Sequence, residues 1–238
     1  MSGKYNTMKL AWQQIPSPVV SELLCHTGVD GVVIDTEHAS YNNETIYNCI
    51  QTITSLNRKC FVRLMVPTKS SIRMCLDAGA TGLIFSTVEN ARQCNKIMNS
   101  CKFPKHGGRR GLGLTRANKW GLLPLVSEPP SIVAQIETID GVNNLEEIMS
   151  YNFDYYMIGP YDLSASLGVP GDFSSNLYLD AIKKMEKLIP KEKMAVHIPT
   201  EVKKYLKKYS DYGIIALGMD TTGLLEFYKE LGINEFST

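Results

Sequence analysis

Six side chains of types that do acid–base, metal or oxyanion chemistry sit in or directly after short apolar runs. Asp35, Glu37 and His38 follow Gly31-Val-Val-Ile, and Arg63 stands inside Cys60-Phe-Val-Arg-Leu-Met65. Glu137 follows Ile132-Val-Ala-Gln-Ile, and Asp162 lies in Gly159-Pro-Tyr-Asp-Leu-Ser164. Glu137 and Asp162 are hard carboxylates that, with water and a substrate oxygen, suit Mg²⁺, Mn²⁺ or a similar divalent ion. Both acids also suit helix capping, and the sequence leaves the two roles open. A carboxylate near an imidazole fixes its tautomer and raises its pKa, so Asp35 three residues before His38 points to an acid/base working near neutrality. A surface histidine is the competing account. A guanidinium inside an apolar strand needs an anionic partner, which for Arg63 is either substrate or a structural ion pair with Asp35 or Glu37. Asp77 closes a predicted helix, where its charge opposes the dipole. That misplacement marks it as a partner for another site residue.

These side chains need a frame that brings them together. Eight short runs alternate with helix-compatible stretches: Met8–Trp12, Gly31–Asp35, Cys60–Met65, Gly82–Ser86, Ile132–Glu137, Tyr155–Ile158, Met194–Ile198 and Ile214–Leu217. Their continuous apolar character fits strands covered on both faces. Apolar spacing predicts helices over Asn43–Leu56, Ser70–Ala78, Ala91–Cys101 and Val142–Tyr151, with Gly28, Gly79 and Gly213 where helices should end. The count and size fit a single-domain (β/α)₈ TIM barrel over residues 1–238. A doubly wound open sheet is the alternative, and the lack of a G-x-G-x-x-G turn disfavours its dinucleotide-binding form. In a barrel, strand C-termini share one rim, which gathers the acids, His38 and Arg63. The long Gly-rich segment from Phe103 to Pro130 is expected at that same face.

Composition narrows the chemistry. The 238 residues carry 25 Lys+Arg and 24 Asp+Glu, a net charge of +1, which argues against general binding to nucleic acid or an anionic membrane. No apolar run approaches the roughly 18 residues of a membrane span, and the start lacks a signal-peptide core, so a cytoplasmic location is expected. None of the six cysteines forms a C-x-x-C pair, which suits buried reduced thiols rather than disulfides or zinc. No predicted strand ends in lysine, so a Schiff-base mechanism lacks its nucleophile. Acids after the last two strands, Glu201 and Asp220, disfavour a phosphate handle. Metal-assisted chemistry on an oxo-acid remains.

The chain resembles the HpcH/HpaI aldolase/citrate lyase family, the metal-dependent class II pyruvate aldolases. The matching pieces are Gly31-Val-Val-Ile-Asp-Thr-Glu-His38, Val62-Arg63, Leu76-Asp-Ala-Gly-Ala80, Arg110-Gly-Leu-Gly113, Ala134-Gln-Ile-Glu137, Ile158-Gly-Pro-Tyr-Asp-Leu-Ser-Ala-Ser-Leu-Gly168 and Leu217-Gly-Met-Asp220. The resemblance implies Glu137 and Asp162 as ligands of Mg²⁺, Mn²⁺ or Co²⁺, with Gln135 beside the pyruvate. It implies Arg63 on the keto oxygen, His38 as acid/base oriented by Asp35 or Asp77, and backbone amides near Gly159 and Tyr161 on the substrate carboxylate. It further implies a homo-oligomer, a hexamer of helix-exchanging dimers, that interconverts a 4-hydroxy-2-oxo acid with pyruvate and an aldehyde.

Two departures bear on the aldehyde: Tyr161 stands where a small residue is usual, and the stretch from Gly113 to Trp120 is shorter than in the heptenedioate aldolases. Arg109, Arg110, Arg116 and Lys119 on the Gly-rich segment suggest an anionic or polyhydroxylated aldehyde, contacted by Arg116. A citrate-lyase-like acyl-CoA lyase or an oxaloacetate decarboxylase would use the same enolate. A catalytically silent binding subunit would have no need for the full set of Asp35, His38, Arg63, Glu137 and Asp162.

Overall fold

A computed structural model describes residues 7–126 and 128–232. Eight strands, β1 (Met8–Gln13), β2 (Gly31–Asp35), β3 (Lys59–Leu64), β4 (Gly82–Phe85), β5 (Ser131–Ile136), β6 (Tyr155–Ile158), β7 (Met194–Ile198) and β8 (Ile214–Leu217), pair in parallel and close on themselves, β8 against β1. The helices are α1 (Pro18–Cys25), α2 (Asn43–Ser55), α3 (Lys69–Ala78), α4 (Ala91–Cys101), α5 (Ile139–Asn143), α6 (Leu145–Met149), α7 (Pro160–Ser166), α8 (Asn176–Leu188), α9 (Val202–Leu206) and α10 (Asp220–Glu230). This is the expected (β/α)₈ barrel, not the open sheet.

Alternation along each strand divides the core. Leu10, Trp12, Val33, Phe61, Ile84, Val133, Met157 and Ile214 fill the barrel interior. Val32, Ile34, Val62, Leu83 and Ile132 face outward and pack beneath the helices with Ile50, Ile72, Ile97 and Ile148. Gly82 is required because a Cβ there would lie 2.3 Å from the Phe61 ring. All six cysteines are buried and unpaired, and burial pushes Cys75 and Cys101 up to about 12, which keeps them protonated. Among the described residues no helix is long and apolar enough to cross a membrane.

Helix boundaries follow local chemistry. Asn42 caps α2 through Thr45 N–H, a Thr68/Ser71 capping box opens α3, and Gly79 at φ 101° closes it. The single helix expected over Val142–Tyr151 is instead α5 and α6. Asn144 leaves helical geometry (ψ 13°), and its amide donates to Glu89 O at 2.8 Å, which breaks the run.

The described residues of the segment from Phe103 to Pro130 lie at the other face from the one expected. It follows α4, and each helix returns the chain to the N-terminal end of the barrel, so this loop joins α4 to β5 there. Its Arg116 is fastened to helix ends: its guanidinium donates to Ala78 O (2.8 Å), Thr54 Oγ1 (2.9 Å), Ser55 Oγ (3.2 Å) and Gln51 O (3.3 Å). Those carbonyls close α2 and α3, where a cation complements the dipole. Within the chain Arg116 is a clamp on two helices and does not reach the rim.

Candidate active site

β2 and β3 place Asp35 and Arg63 as direct partners in the ladder, so their side chains leave adjacent strands side by side. Arg63 Nε donates to Asp35 Oδ1 at 2.9 Å and its terminal nitrogen to Oδ2 at 2.8 Å, a bidentate pair. Trp12 Nε1 (3.1 Å) and Gln14 Nε2 (3.0 Å) also donate to Oδ2, and Glu37 N–H donates to Oδ1 at 3.1 Å. Burial alone would raise the Asp35 carboxyl, but Arg63, Gln14 and Trp12 outweigh it and hold it at about 2. The other terminal nitrogen of Arg63 lies 2.7 Å from Glu37 Oε2. Beneath this fork the Trp12 ring centre is 4.8 Å from the guanidinium carbon, and its opposite face stacks on His197 at 3.9 Å. His197 is neutral: burial pushes it down to about 4, and its Nε2 is 3.0 Å from the Gly218 carbonyl, to which the ring donates.

Across the barrel mouth, Glu137 follows β5 and is only 2% exposed. Thr87 N–H and Oγ1 donate to its Oε1 at 2.7 and 2.8 Å, and Gln135 Nε2 donates to Oε2 at 2.5 Å. Gln135 Oε1 is buried with no hydrogen-bond partner. Gly159 must lack a side chain, because a Cβ there would stand 2.4 Å from Glu137 Oε2. Burial pushes the Glu137 carboxyl up, Glu37 and Asp162 add repulsion, and Thr87 opposes them incompletely, leaving it at about 7. Asp162, exposed in the first turn of α7, makes no hydrogen bond or ion pair among the described residues. A buried carboxylate that resists ionisation beside a second, uncommitted one has the character of a cation site. Arg63, His38, Gln135, Gly159, Asp162 and His197 all line one cavity of about 520 Å³ at the C-terminal face.

The model of the HpcH/HpaI aldolase/citrate lyase family matches residues 10–226. The chain belongs to that family. It is 30% identical over 217 residues to the hydroxypyruvate/pyruvate aldolase of Delftia acidovorans, covering 88% of this chain and 81% of the relative. It is 31% identical over 219 residues to the 4-hydroxy-2-oxovalerate aldolase of Rhodococcus jostii, covering 88% and 84%. In fold it is similar to an HpcH/HpaI aldolase/citrate lyase family protein from Burkholderia cenocepacia J2315, with a TM-score of 0.85, 23% identity, and coverage of 97% and 94%.

In this member of the HpcH/HpaI family two expected contacts of His38 differ. Its ring is 57% exposed, with Nε2 4.0 Å from Glu37 Oε2. Asp35 receives only its backbone N–H, at 3.5 Å, because the carboxylate is spent on Arg63. Asp77 is on α3, whose C-terminus lies at the other end of the same barrel, paired with Arg110 at 2.8 Å and Arg73 at 3.4 Å. Those two arginines neutralise the charge that the helix end opposes, so within the chain Asp77 does not orient His38. Thr87, Trp12, Gln14 and His197 also serve the site, although their types and spacing do not mark them for it. Only Trp12 carried a signal, as the bulky end of a weak strand.

Replacing Glu137 separates its two energetic roles. Its folded pKa of about 7 exceeds the unfolded carboxylate value, so the native state keeps the proton longer and wild-type stability falls as pH rises from roughly 4.5 to 7. Glu137→Gln removes that penalty, and the Gln135 amide can turn its unpartnered oxygen toward the new N–H. With chelator present, the stability advantage of the variant by urea unfolding should grow by on the order of 1–3 kcal/mol between pH 5 and pH 8. Parallel pH profiles for the two proteins would contradict the assigned burial penalty.

Proposed function

We propose that this chain is a divalent-metal-dependent aldolase that cleaves a 4-hydroxy-2-oxo acid to pyruvate and an aldehyde, or runs the condensation. The observation that carries the reading is the meeting at one rim of the Asp35-anchored Arg63 with Asp162, both lining one cavity, and of Glu137 just beneath its wall, bonded to the lining residue Gln135 and near enough to Asp162 to feel its charge. The printed activities of the Delftia and Rhodococcus relatives support it. Glu137 and Asp162 would hold Mg²⁺, Mn²⁺ or Co²⁺, with Gln135, whose Oε1 has no partner, on the cavity wall beside them. When bound, such an ion supplies Lewis-acid polarisation of the 2-oxo acid.

The residues of the chain divide the rest. The Gly159 N–H is given to the Ile136 carbonyl at 3.4 Å and Pro160 has none, which leaves the Tyr161 backbone amide to hold the substrate carboxylate. Arg63 has guanidinium hydrogens beyond those given to Asp35 and Glu37, and these meet the keto oxygen and stabilise negative charge there as the enolate forms. His38 takes the proton from the C4 hydroxyl; the C3–C4 bond breaks, its electron pair forms pyruvate enolate, and a proton returns to C3. The exposed Leu224, Leu225, Phe227 and Tyr228 on α10 favour the homo-oligomer that the family resemblance implies.

The test is pyruvate release from a panel of 4-hydroxy-2-oxo acids. Chelation should abolish it without unfolding, and Mg²⁺, Mn²⁺ or Co²⁺ should restore it to different extents. Activity that survives thorough chelation, or a borohydride-trapped pyruvate adduct, would mean a Schiff-base lysine. His38→Ala should lower cleavage by about 10²–10⁴-fold with metal affinity nearly unchanged. Full activity in that variant would remove its assigned role.

A further inference from the structure

We infer that the aldehyde partner is uncharged and carries an aromatic or comparably bulky apolar group, bound in an aromatic chamber behind Tyr161. The inference rests on the pyruvate-aldolase reading above. A second cavity of about 400 Å³ opens at the same face of the barrel, between the segment joining α7 to α8 and the segment from β7 into α9. Tyr161, His197, Pro199 and Thr200 line both this chamber and the cavity of Arg63 and Asp162, so the two are adjoining. Tyr161, 49% exposed, stands at the neck and meets the Phe173 ring edge-on, centroids 5.1 Å apart at 89°. Phe173 leans in turn on Tyr178 at 5.4 Å. Tyr178 and Tyr209 are buried, and Tyr205 completes the wall.

Two physical consequences follow. Rings held from behind by the core form a preformed surface, and each well-placed aromatic contact contributes about 0.5–1.5 kcal/mol beyond area burial. Charge in the chamber gives an anion no net attraction: Asp172 and Glu201 line it with Lys208, which sits 5.1 Å over the Tyr209 ring, and Glu201 is already paired with Lys204 at 3.1 Å. The arginines that suggested an anionic aldehyde stand on a loop at the opposite end of the chain's own barrel. In condensation, pyruvate loses a C3 proton, C3 bonds to the aldehyde carbon, and the aldehyde oxygen takes up a proton. The product is a 4-aryl-4-hydroxy-2-oxo acid, with no change in oxidation balance.

The experiment uses the full chain with Mn²⁺ and pyruvate. Deuterium exchange at pyruvate C3, without aldehyde, tests the underlying reading. The kcat/KM values for benzaldehyde, acetaldehyde and succinic semialdehyde test the inference. Exchange should occur, and benzaldehyde should be favoured at least tenfold over both others. Phe173→Ala and Tyr205→Ala should each lower the benzaldehyde-to-acetaldehyde ratio by about tenfold. No exchange would remove the aldolase reading and the inference with it. Exchange with acetaldehyde or succinic semialdehyde preferred, or a ratio unmoved in both variants, would overturn the aromatic chamber alone. If neither variant folds, the wild-type ranking decides.

Discussion

Asp162→Ala should lose metal-dependent cleavage while unfolding at close to the wild-type temperature. The side chain is exposed in the first turn of α7 and makes no hydrogen bond or ion pair among the described residues, so its removal takes nothing from the core. Surface changes of that kind usually fall within about 0.5 kcal/mol. One favourable first-turn charge at a helix N-terminus is lost, a cost of about 0.3–1 kcal/mol. The effect on chemistry is far larger, because Glu137 alone would be left to hold the cation. Among the described residues no group of three or more His, Cys, Asp or Glu side chains offers a replacement. Two protein carboxylates leave most coordination positions to water and substrate, so affinity is modest and depends on both. We expect kcat/KM to fall on the order of 10³-fold or more, equivalent to several kcal/mol of lost transition-state stabilisation. Steady-state kinetics over a Mn²⁺ titration, beside calorimetric unfolding, checks both halves. Retained activity would place the ligand elsewhere, and a large drop in the unfolding temperature would make Asp162 a structural residue.

The parts of this site that the sequence made legible are those fixed by strand period and ladder register. Gly31–Asp35 and Tyr155–Ile158 are observed with the expected bounds, since a buried parallel strand reads as an uninterrupted apolar run. Once those runs are strands, Asp35, Arg63, Glu137 and Asp162 must share a rim. Both accounts of Arg63 rest on one fact: a guanidinium in an apolar strand needs carboxylates. The structure gives it two while leaving it on the cavity wall. What failed was the assignment of loops to faces. Phe103–Pro130 follows a helix and Asp77 lies in the last turn of one, and a helix returns the chain to the far end of the barrel; element order, not loop length, decides the face. Other contributions were invisible in principle. Thr87 holds Glu137 from a φ of 51°, which a β-branched residue rarely adopts, and nothing local announces it. His197 reads as one more residue of an apolar strand, and its place between Trp12 and the aromatic chamber depends on the barrel closing.

Asp35→Ala should cost about 3–5 kcal/mol of unfolding free energy, because it strips the bidentate partner from a buried guanidinium. The loss should also have a pH signature. The folded pKa of Asp35, about 2, lies below the unfolded carboxylate value, so its contribution is fully present above roughly pH 4 and is lost as pH falls toward 2. In wild type that contribution is on the order of 2 kcal/mol, and the variant should lack it. Activity should fall as well, since Arg63 keeps Glu37 and the Trp12 face but not the fork that sets its plane. A shifted guanidinium binds the 2-oxo acid less well and meets the forming enolate poorly, so KM should rise and kcat should fall. A double-mutant cycle separates this from general damage to the barrel. In an Arg63→Met background, Asp35→Ala removes a carboxylate that has itself lost its cation, so the second substitution should cost little or even stabilise. If Asp35→Ala is equally costly with and without Arg63, Trp12 and Gln14 rather than the guanidinium are what Asp35 holds.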